Sequence, residues 1–348
     1  MQTIGVDLAK NVFELAISDG RGKITGRRRL TRAQFERFWI NQPAARVVME
    51  ACSGAHHWAR TLLGMGFEVI LLPPRYVTPY RRRNKTDRAD SEAVLEALRC
   101  AGIKPVTVKT QEQQAIAALH RVRSQWMQTR TARINAIRGL LHEFGVTMAT
   151  GTRRLPTLLA QVMEAEGRHF PVHLRLAVTA LWSEVQQLEQ RVAELEAELE
   201  RIAAHNAEIR QIRQVPGIGL LTATALYASI GDITQFPSGR HLGSWLGLTP
   251  REYSSGSRRR MGGISKQGDP YLRTLLTHGA RAALLIAQRR KKAGIPLTYL
   301  EQWVMQKAEE QHPNRAVIAL ANKMARTAWA LWKHQRTFDG NFALKRAA

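Results

Sequence analysis

Thr3–Gly20 reads TIGVDLAKNVFELAISDG. Thr3–Leu8 and Val12–Ser18 are short apolar runs separated by a turn-sized gap, so the stretch predicts two strands joined tightly. Asp7 interrupts the first run. A carboxylate in such a place costs stability unless a cation answers it. Working outward, Gly20 and Gly22 mark a second turn and Lys23–Leu30 a third strand. Thr31 predicts the N-cap of a helix with Phe35, Phe38 and Trp39 on its apolar face. Short buried strands follow at Arg46–Ala51 and Phe67–Leu72, with helices over His56–Gly66 and Asp87–Cys100. Three early strands and then alternating helix and strand predict an α/β domain with a mixed sheet over residues 1–103.

At 348 residues the chain has room for two or three domains with cores of their own. It carries 52 Lys+Arg against 28 Asp+Glu, a formal net charge of +24. Charge on this scale speaks to partners rather than fold, and in a non-repetitive chain it points to nucleic acid. No apolar run reaches the length of a membrane span, and Asp7 stands where a signal peptide would need apolar residues. Cys52 and Cys100 are too few for a disulfide framework or a thiolate zinc site. A reduced, cytoplasmic protein with no membrane partner is expected.

Residues 104–209 predict long helices. The first runs from about 111 to 145 and carries Arg121, Arg123, Arg130, Arg133 and Arg138 beside a broken apolar stripe. A connector with a short helix is expected over 146–172. In the second, Leu174, Leu181, Leu188, Leu195, Ile202 and Ile209 recur every seven residues. Val178, Val185, Val192, Leu199 and Asn206 interleave with them. This is the coiled-coil repeat, in which Asn206 would set register. Two readings stand together: pairing between chains, or packing back on the helix at 111–145.

Residues 210–348 predict a mainly helical region. Gln214–Gly219 (QVPGIG) reads either as a phosphate-approaching hairpin turn between helices or as a plain connector. Pro250–Gly268 reads as a Gly/Ser/Arg loop, and helices are expected over about 270–288, 297–311 and 314–335. Trp303, Trp329 and Trp332 are expected in the core.

Two constellations carry chemistry. Asp7, Glu50, Asp87 and Asp90 are acids at costly positions, and the i, i+3 spacing of the last two puts them on one helix face. Adjacent strands bearing Asp7 and Glu50, packed on that helix, would gather oxygen ligands for Mg²⁺ or Mn²⁺. Two such ions about 3.5–4 Å apart activate a nucleophile and stabilise a leaving oxygen, and a phosphodiester suits so basic a chain. The second is residues 249–294, with eleven Lys or Arg against Glu252 and Asp269. Ser254, Ser255 and Ser257 lie at its heart beside Arg258, Arg259 and Arg260. A serine attacks phosphate when cations neutralise the anion and its proton is accepted; a polar turn uses the same residue types.

IGVDLAK, VVMEA and KTDRADSEA together resemble the DEDD transposases and invertases of bacteria. The run VPGIG…WLGLTPREYSSGSRRRMGGISKQGDPYLRTLL is similar to the second domain of the same group, the one-ten family of insertion-sequence recombinases that includes the Piv-type DNA invertase. The resemblance spans nearly the whole chain, with both motif sets in order. It implies a RuvC-like, ribonuclease H-like domain at 1–103, coiled-coil helices at 104–209 for dimerisation and nucleic-acid binding, and a helical transposase domain at 210–348. It implies that Asp7, Glu50, Asp87 and Asp90 hold the metal. Ser255, before the glycine, best matches the nucleophile that forms a 5′-phosphoserine, with Ser254 adjacent. It further implies donor and target DNA duplexes, a structured noncoding guide RNA (the bridge RNA), dimers that pair into tetramers, and a bacterial, nucleoid-associated location. Arg81, Arg82, Arg83, Lys85, Arg88, Arg121, Arg123, Arg130, Arg258, Arg259, Arg260, Lys266 and Arg273 are then candidates for backbone contact. The alternatives are a RuvC-like metal-dependent nuclease using water, and a non-catalytic RNA/DNA-binding scaffold.

Overall fold

The structure is a computed structural model that describes residues 1–81, 87–148, 151, 155–165 and 169–341, with Asp87 described in its backbone alone. The chain divides into two compact units, Met1–Gln111 with Ile230–Gln235, and Glu112–Ser229 with Phe236–Ala348.

The first unit is built on strands β1 (Gln2–Leu8), β2 (Val12–Ser18), β3 (Ile24–Thr31), β4 (Ala45–Glu50) and β5 (Glu68–Leu72). They form one sheet in the order β3-β2-β1-β4-β5. β1, β2 and β3 are antiparallel neighbours, and β1, β4 and β5 run parallel, so the sheet is mixed as expected. Its helices are α1 (Arg32–Phe38), α2 (Ala55–Gly64), α3 (Pro74–Val77) and α4 (Asp87–Leu98). Thr31 caps α1 in a reciprocal capping box with Gln34. Alternation sorts the sheet's side chains by face. Ile4, Val6, Phe13, Leu15, Val47 and Met49 pack with Phe35, Trp39 and Trp58 on one side. Phe13 stacks on Phe35 with ring centroids 4.3 Å apart. Val48 and Leu72 pack with Ala93, Val94 and Ala97 of α4 on the other.

The second unit is helical: α5 (Gln111–Glu143), α6 (Leu155–Ala165), α7 (Val172–His205), α8 (Ala207–Ile212), α9 (Leu220–Ile230), α10 (Gly239–Trp245), α11 (Pro270–Lys292), α12 (Tyr299–Glu310) and α13 (Pro313–His334). α5 and α7 pair antiparallel within the chain. Arg123, Arg130 and Arg133 meet Glu196, Glu189 and Glu184 in reversed order. Ile134, Ile137 and Leu141 share a core with Leu174, Val178 and Val185. Of the two pairings the heptads allowed, the structure contains the hairpin.

Asn206, the Pro250–Gly268 loop and two of the tryptophans depart from expectation. Asn206 sets no register: α7 ends at His205, and the Asn206 side chain accepts the Ile209 N–H to cap α8. In the QVPGIG turn Gly217 is packed, since a Cβ there would lie 2.8 Å from the Gly279 carbonyl of α11, whereas a Cβ on Gly219 would meet nothing within 4 Å. The Pro250–Gly268 loop is a hairpin of β6 (Pro250–Glu252) and β7 (Met261–Ile264). Trp332 is buried, whereas Trp303 and Trp329 are only half-buried. Among the described residues no helix is long and apolar enough to cross a membrane.

Candidate active site

α4 lies directly on β1. A Cβ on Gly5 would stand 2.6 Å from the Ser91 carbonyl oxygen and 2.7 Å from Leu95 Cγ, so only glycine permits the approach. Asp7 follows two residues later and faces the same side, as does Glu50 two residues after Val48. Val6 pairs with Met49, which makes Asp7 and Glu50 the next positions at the carboxyl ends of neighbouring parallel strands. Asp90 precedes Ser91 on the apposed helix and is 8% exposed. Asp7, Glu50 and Asp90 therefore lie about the carboxyl end of one sheet face, where open sheets place their sites.

Their electrostatics agree. Arg81 Nε stands 2.6 Å from Asp90 Oδ1, and its Nη2 stands 3.4 Å from Glu50 Oε2. Both Arg81 Nε and Asp90 Oδ1 are buried and lack an aligned hydrogen bond. Burial, then Glu50, then Asp7 push the Cys52 thiol above its usual pKa, which places Cys52 beside both strand-end carboxylates. Among the described residues no group of three or more His, Cys, Asp or Glu stands close enough to hold a metal ion. The Asp87 side chain lies outside the described residues. Carboxylates are the ligand type that a hard divalent cation takes, and here the buried Asp90 Oδ1 is ion-paired to Arg81.

The serine site is in the second unit. Ser255 and Arg258 exchange backbone hydrogen bonds of 3.2 and 3.1 Å across Gly256-Ser257. Gly256 has φ +55°, the left-handed value that the first central residue of a type II′ turn needs. Ser255 is exposed at this tip. Ser254 is held: its hydroxyl donates to Glu252 Oε1 at 2.7 Å and accepts the Arg260 N–H at 3.3 Å.

The basic candidates separate. Arg258, Arg260, Lys266 and Arg121 are exposed. Arg259 lies 3.3 Å from Glu252, and Arg88 3.5 Å from Glu92. Arg123 and Arg130 sit in the ion pairs of the α5–α7 hairpin. Arg273 donates to the carbonyls of Leu246 and Gln267 at 3.2 and 3.0 Å. Arg82, Arg83 and Lys85 lie outside the described residues. Sequence reasoning missed Arg81 as the counter-charge of two acids, Cys52 as their neighbour and Glu252 as the partner of Ser254. Only the position of Cys52, two residues after Glu50, offered a signal.

Two family models match the chain. One, described as a transposase and of the DEDD type, covers residues 4–146; the other, the IS116/IS110/IS902 transposase family, covers residues 209–294. The transposase for insertion sequence element IS1111A of Coxiella burnetii is 40% identical over 97% of this chain and 91% of its own length. A probable family 20 transposase of Pseudomonas aeruginosa is 41% identical over 97% and 98%. The pilin gene-inverting protein of Moraxella bovis is 28% identical over 39% of each chain. With both family models matched in order and near full-length similarity to transposases, the chain belongs to the IS116/IS110/IS902 family of insertion-sequence transposases.

Proposed function

We propose that the chain catalyses RNA-guided, site-specific exchange of DNA strands. The observation that carries the reading is the placement of Asp7, Glu50 and Asp90 about the carboxyl end of one sheet face in a chain that also presents Ser255 at a hairpin tip among arginines. The sheet order β3-β2-β1-β4-β5, antiparallel then parallel, supports a RuvC-like, ribonuclease H-like domain. Residues 1–103 then form the acidic domain, 104–209 the long helices that bind nucleic acid and dimerise on faces other than the seam they fill, and 210–348 the serine domain. Asp7, Glu50, Asp87 and Asp90 would hold Mg²⁺ or Mn²⁺, which supplies positive charge to the phosphate as its negative charge grows.

Ser255 Oγ bonds to the scissile phosphorus while the bond from phosphorus to the 3′-oxygen breaks. The serine proton is lost and the departing oxygen gains one, leaving a 5′-phosphoserine and a free 3′-hydroxyl. A 3′-hydroxyl from the other duplex then attacks that phosphorus and returns the serine. The phosphodiester's energy stays in the covalent link, so no nucleotide is consumed. Arg258 and Arg260 stand ready to meet the phosphate charge. Base pairing by a structured guide RNA reads the sequence, as in other guided enzymes. The net charge of +24 suits a chain that grips RNA and two DNA duplexes. Dimers pairing into tetramers would bring the acidic domain of one protomer to the serine domain of another at the nucleoid.

The test is a recombination assay with a denaturing gel for protein joined to DNA. The wild type gives adduct and recombinant product; Ser255→Ala gives neither, and Asp90→Asn stops both while RNA stays bound. Cleavage by wild type without any adduct would replace the serine with water as nucleophile.

A further inference from the structure

The helical unit holds a cavity of about 950 Å³ between α12, α13, the start of α10 and the segment after α13. That is at the upper end of the range of small-ligand sites. The catalytic proposal uses none of its residues. Gly239 opens it by letting α10 lie against α13, because a Cβ there would meet Arg326 Cα at 3.0 Å. The walls combine two chemistries. Tyr299, Trp303 and Trp329 supply aromatic faces, and Arg240, Lys323, Arg326 and Arg336 supply cations. The carboxylate among the described lining residues is that of Asp339, which accepts the Asn341 N–H at 2.9 Å.

Lys323 is the informative residue. Its Nζ lies 4.2 Å from the ring centre of Trp303 and 5.2 Å from that of Tyr299. Rings stabilise a cation only partly, and among the described residues no ion pair joins this half-buried ammonium to a carboxylate. Burial, then Arg326 beside it, lower the pKa of Lys323 from its ordinary value, the effect an incoming anion would reverse. Trp329 is fixed by its indole N–H on the Phe236 carbonyl at 3.1 Å, so this wall is set before any ligand arrives.

We propose that this cavity binds one unstacked nucleotide of a single strand, its phosphate on Lys323 and Arg326 and its base against Trp303 or Tyr299. Stacking on aromatic side chains beside a basic track is how single strands are held when their sequence is not read. A base inside a duplex cannot present its face to a concave wall, so paired DNA is excluded. The shared chemistry fits either the guide RNA or a displaced DNA strand. The inference rests on the proposed nucleic-acid function.

The experiment uses the full chain with fluorescent twelve-nucleotide oligo(U), oligo(dT) and a twelve-base-pair duplex, followed by anisotropy. Photocrosslinking with 4-thiouridine or 4-thiothymidine then locates the base. Expected are crosslinks on the peptide spanning Tyr299–Trp303 and a roughly tenfold loss of single-strand affinity in Lys323→Met and Trp303→Leu, with duplex affinity unchanged. Tighter oligo(U) would assign the site to RNA, and tighter oligo(dT) to a displaced strand. Single-strand affinity at wild-type level in both folded variants overturns the cavity assignment, as does an equal loss for duplex. Absence of binding by the wild type to every oligonucleotide would instead overturn the nucleic-acid function beneath it.

Discussion

Arg81 Nε stands 2.6 Å from Asp90 Oδ1, and the same guanidinium reaches Glu50 Oε2 at 3.4 Å. One cation thus neutralises two acids proposed to hold a divalent ion. Two carboxylates drawn together in a half-buried corner repel unless a cation is present, and Arg81 provides it without metal. Metal and guanidinium then compete. Arg81→Ala is expected to tighten Mn²⁺ binding several-fold by calorimetric titration. It should also lower the stability of the metal-free protein by about 1–3 kcal/mol, because the acids lose their partner. Unchanged Mn²⁺ affinity would remove Arg81 from the site.

Gly5 sets how closely that corner closes. Because a Cβ there would meet the backbone of α4 at Ser91, Gly5→Val must push the helix, and Asp90 with it, away from β1. Overpacking of this kind costs about 1–3 kcal/mol. The expected result is a lower melting temperature and loss of DNA cleavage even at saturating Mg²⁺. Restored cleavage at high Mg²⁺ would show that the corner tolerates the shift.

The elements of the first unit were legible because each obeys one local rule: apolar runs for β1, β4 and β5, the Thr31 cap for α1. The adjacency of Asp7 and Glu50 was legible as well, since each acid interrupts or ends an apolar run and parallel neighbours follow from the βαβ order. Arg81 was not. It sits among consecutive arginines, and nothing local marks it as the partner of Asp90. The hairpin at Ser255 was hidden for a related reason. Its strands β6 and β7 are short and exposed on nearly every residue, so they carry no burial alternation. Asn206 fitted the heptad by spacing, yet its capping bond to Ile209 prevailed, because asparagine satisfies a helix start better than a helix interior.

The α5–α7 hairpin closes its own seam. Leu199 is fully buried and Val185 likewise, on the stripe that the heptads mark. Leu199→Ala should cost about 2–5 kcal/mol. The loss should be the same at every protein concentration, since a seam filled within one chain gives no mass-action term. A melting temperature that falls further on dilution would show that α7 pairs between chains.

His120 makes part of the second unit sensitive to acid. It is 5% exposed, with Nε2 3.0 Å from Thr224 Oγ1 and Nδ1 3.0 Å from Tyr271 Oη. Thr224 already donates to the Leu220 carbonyl at 2.8 Å, so it accepts from Nε2–H, and Nδ1 accepts from Tyr271. Burial, then Arg123, lower its pKa to about 4 from the ordinary 6.5. Between those values the unfolded chain takes up a proton that the folded one refuses. Stability is therefore complete above pH 6.5 and falls as pH drops toward 4, by at most about 3 kcal/mol from this residue. His56, lowered to about 4 chiefly by burial, contributes in the same direction. Chemical unfolding from pH 4.5 to 7.5 should show a shallower slope in His120→Gln than in the wild type. Identical slopes would mean that His120 takes up its proton equally in the folded and unfolded chain.

Ser254 and Ser255 are neighbours with different duties. The Ser254 hydroxyl ties Glu252 to the Arg260 backbone and so braces the hairpin, whereas Ser255 stands exposed before the turn. Ser254→Ala loses a brace on an exposed hairpin, worth about 1 kcal/mol, and should slow adduct formation by roughly five- to tenfold. Ser255→Ala should abolish the adduct. Glu252→Gln keeps an acceptor for Ser254 while releasing Arg259, and should behave as Ser254→Ala does or more mildly. The reverse pattern, with adduct persisting in Ser255→Ala and absent in Ser254→Ala, would make Ser254 the nucleophile and Glu252 the carboxylate that accepts its proton.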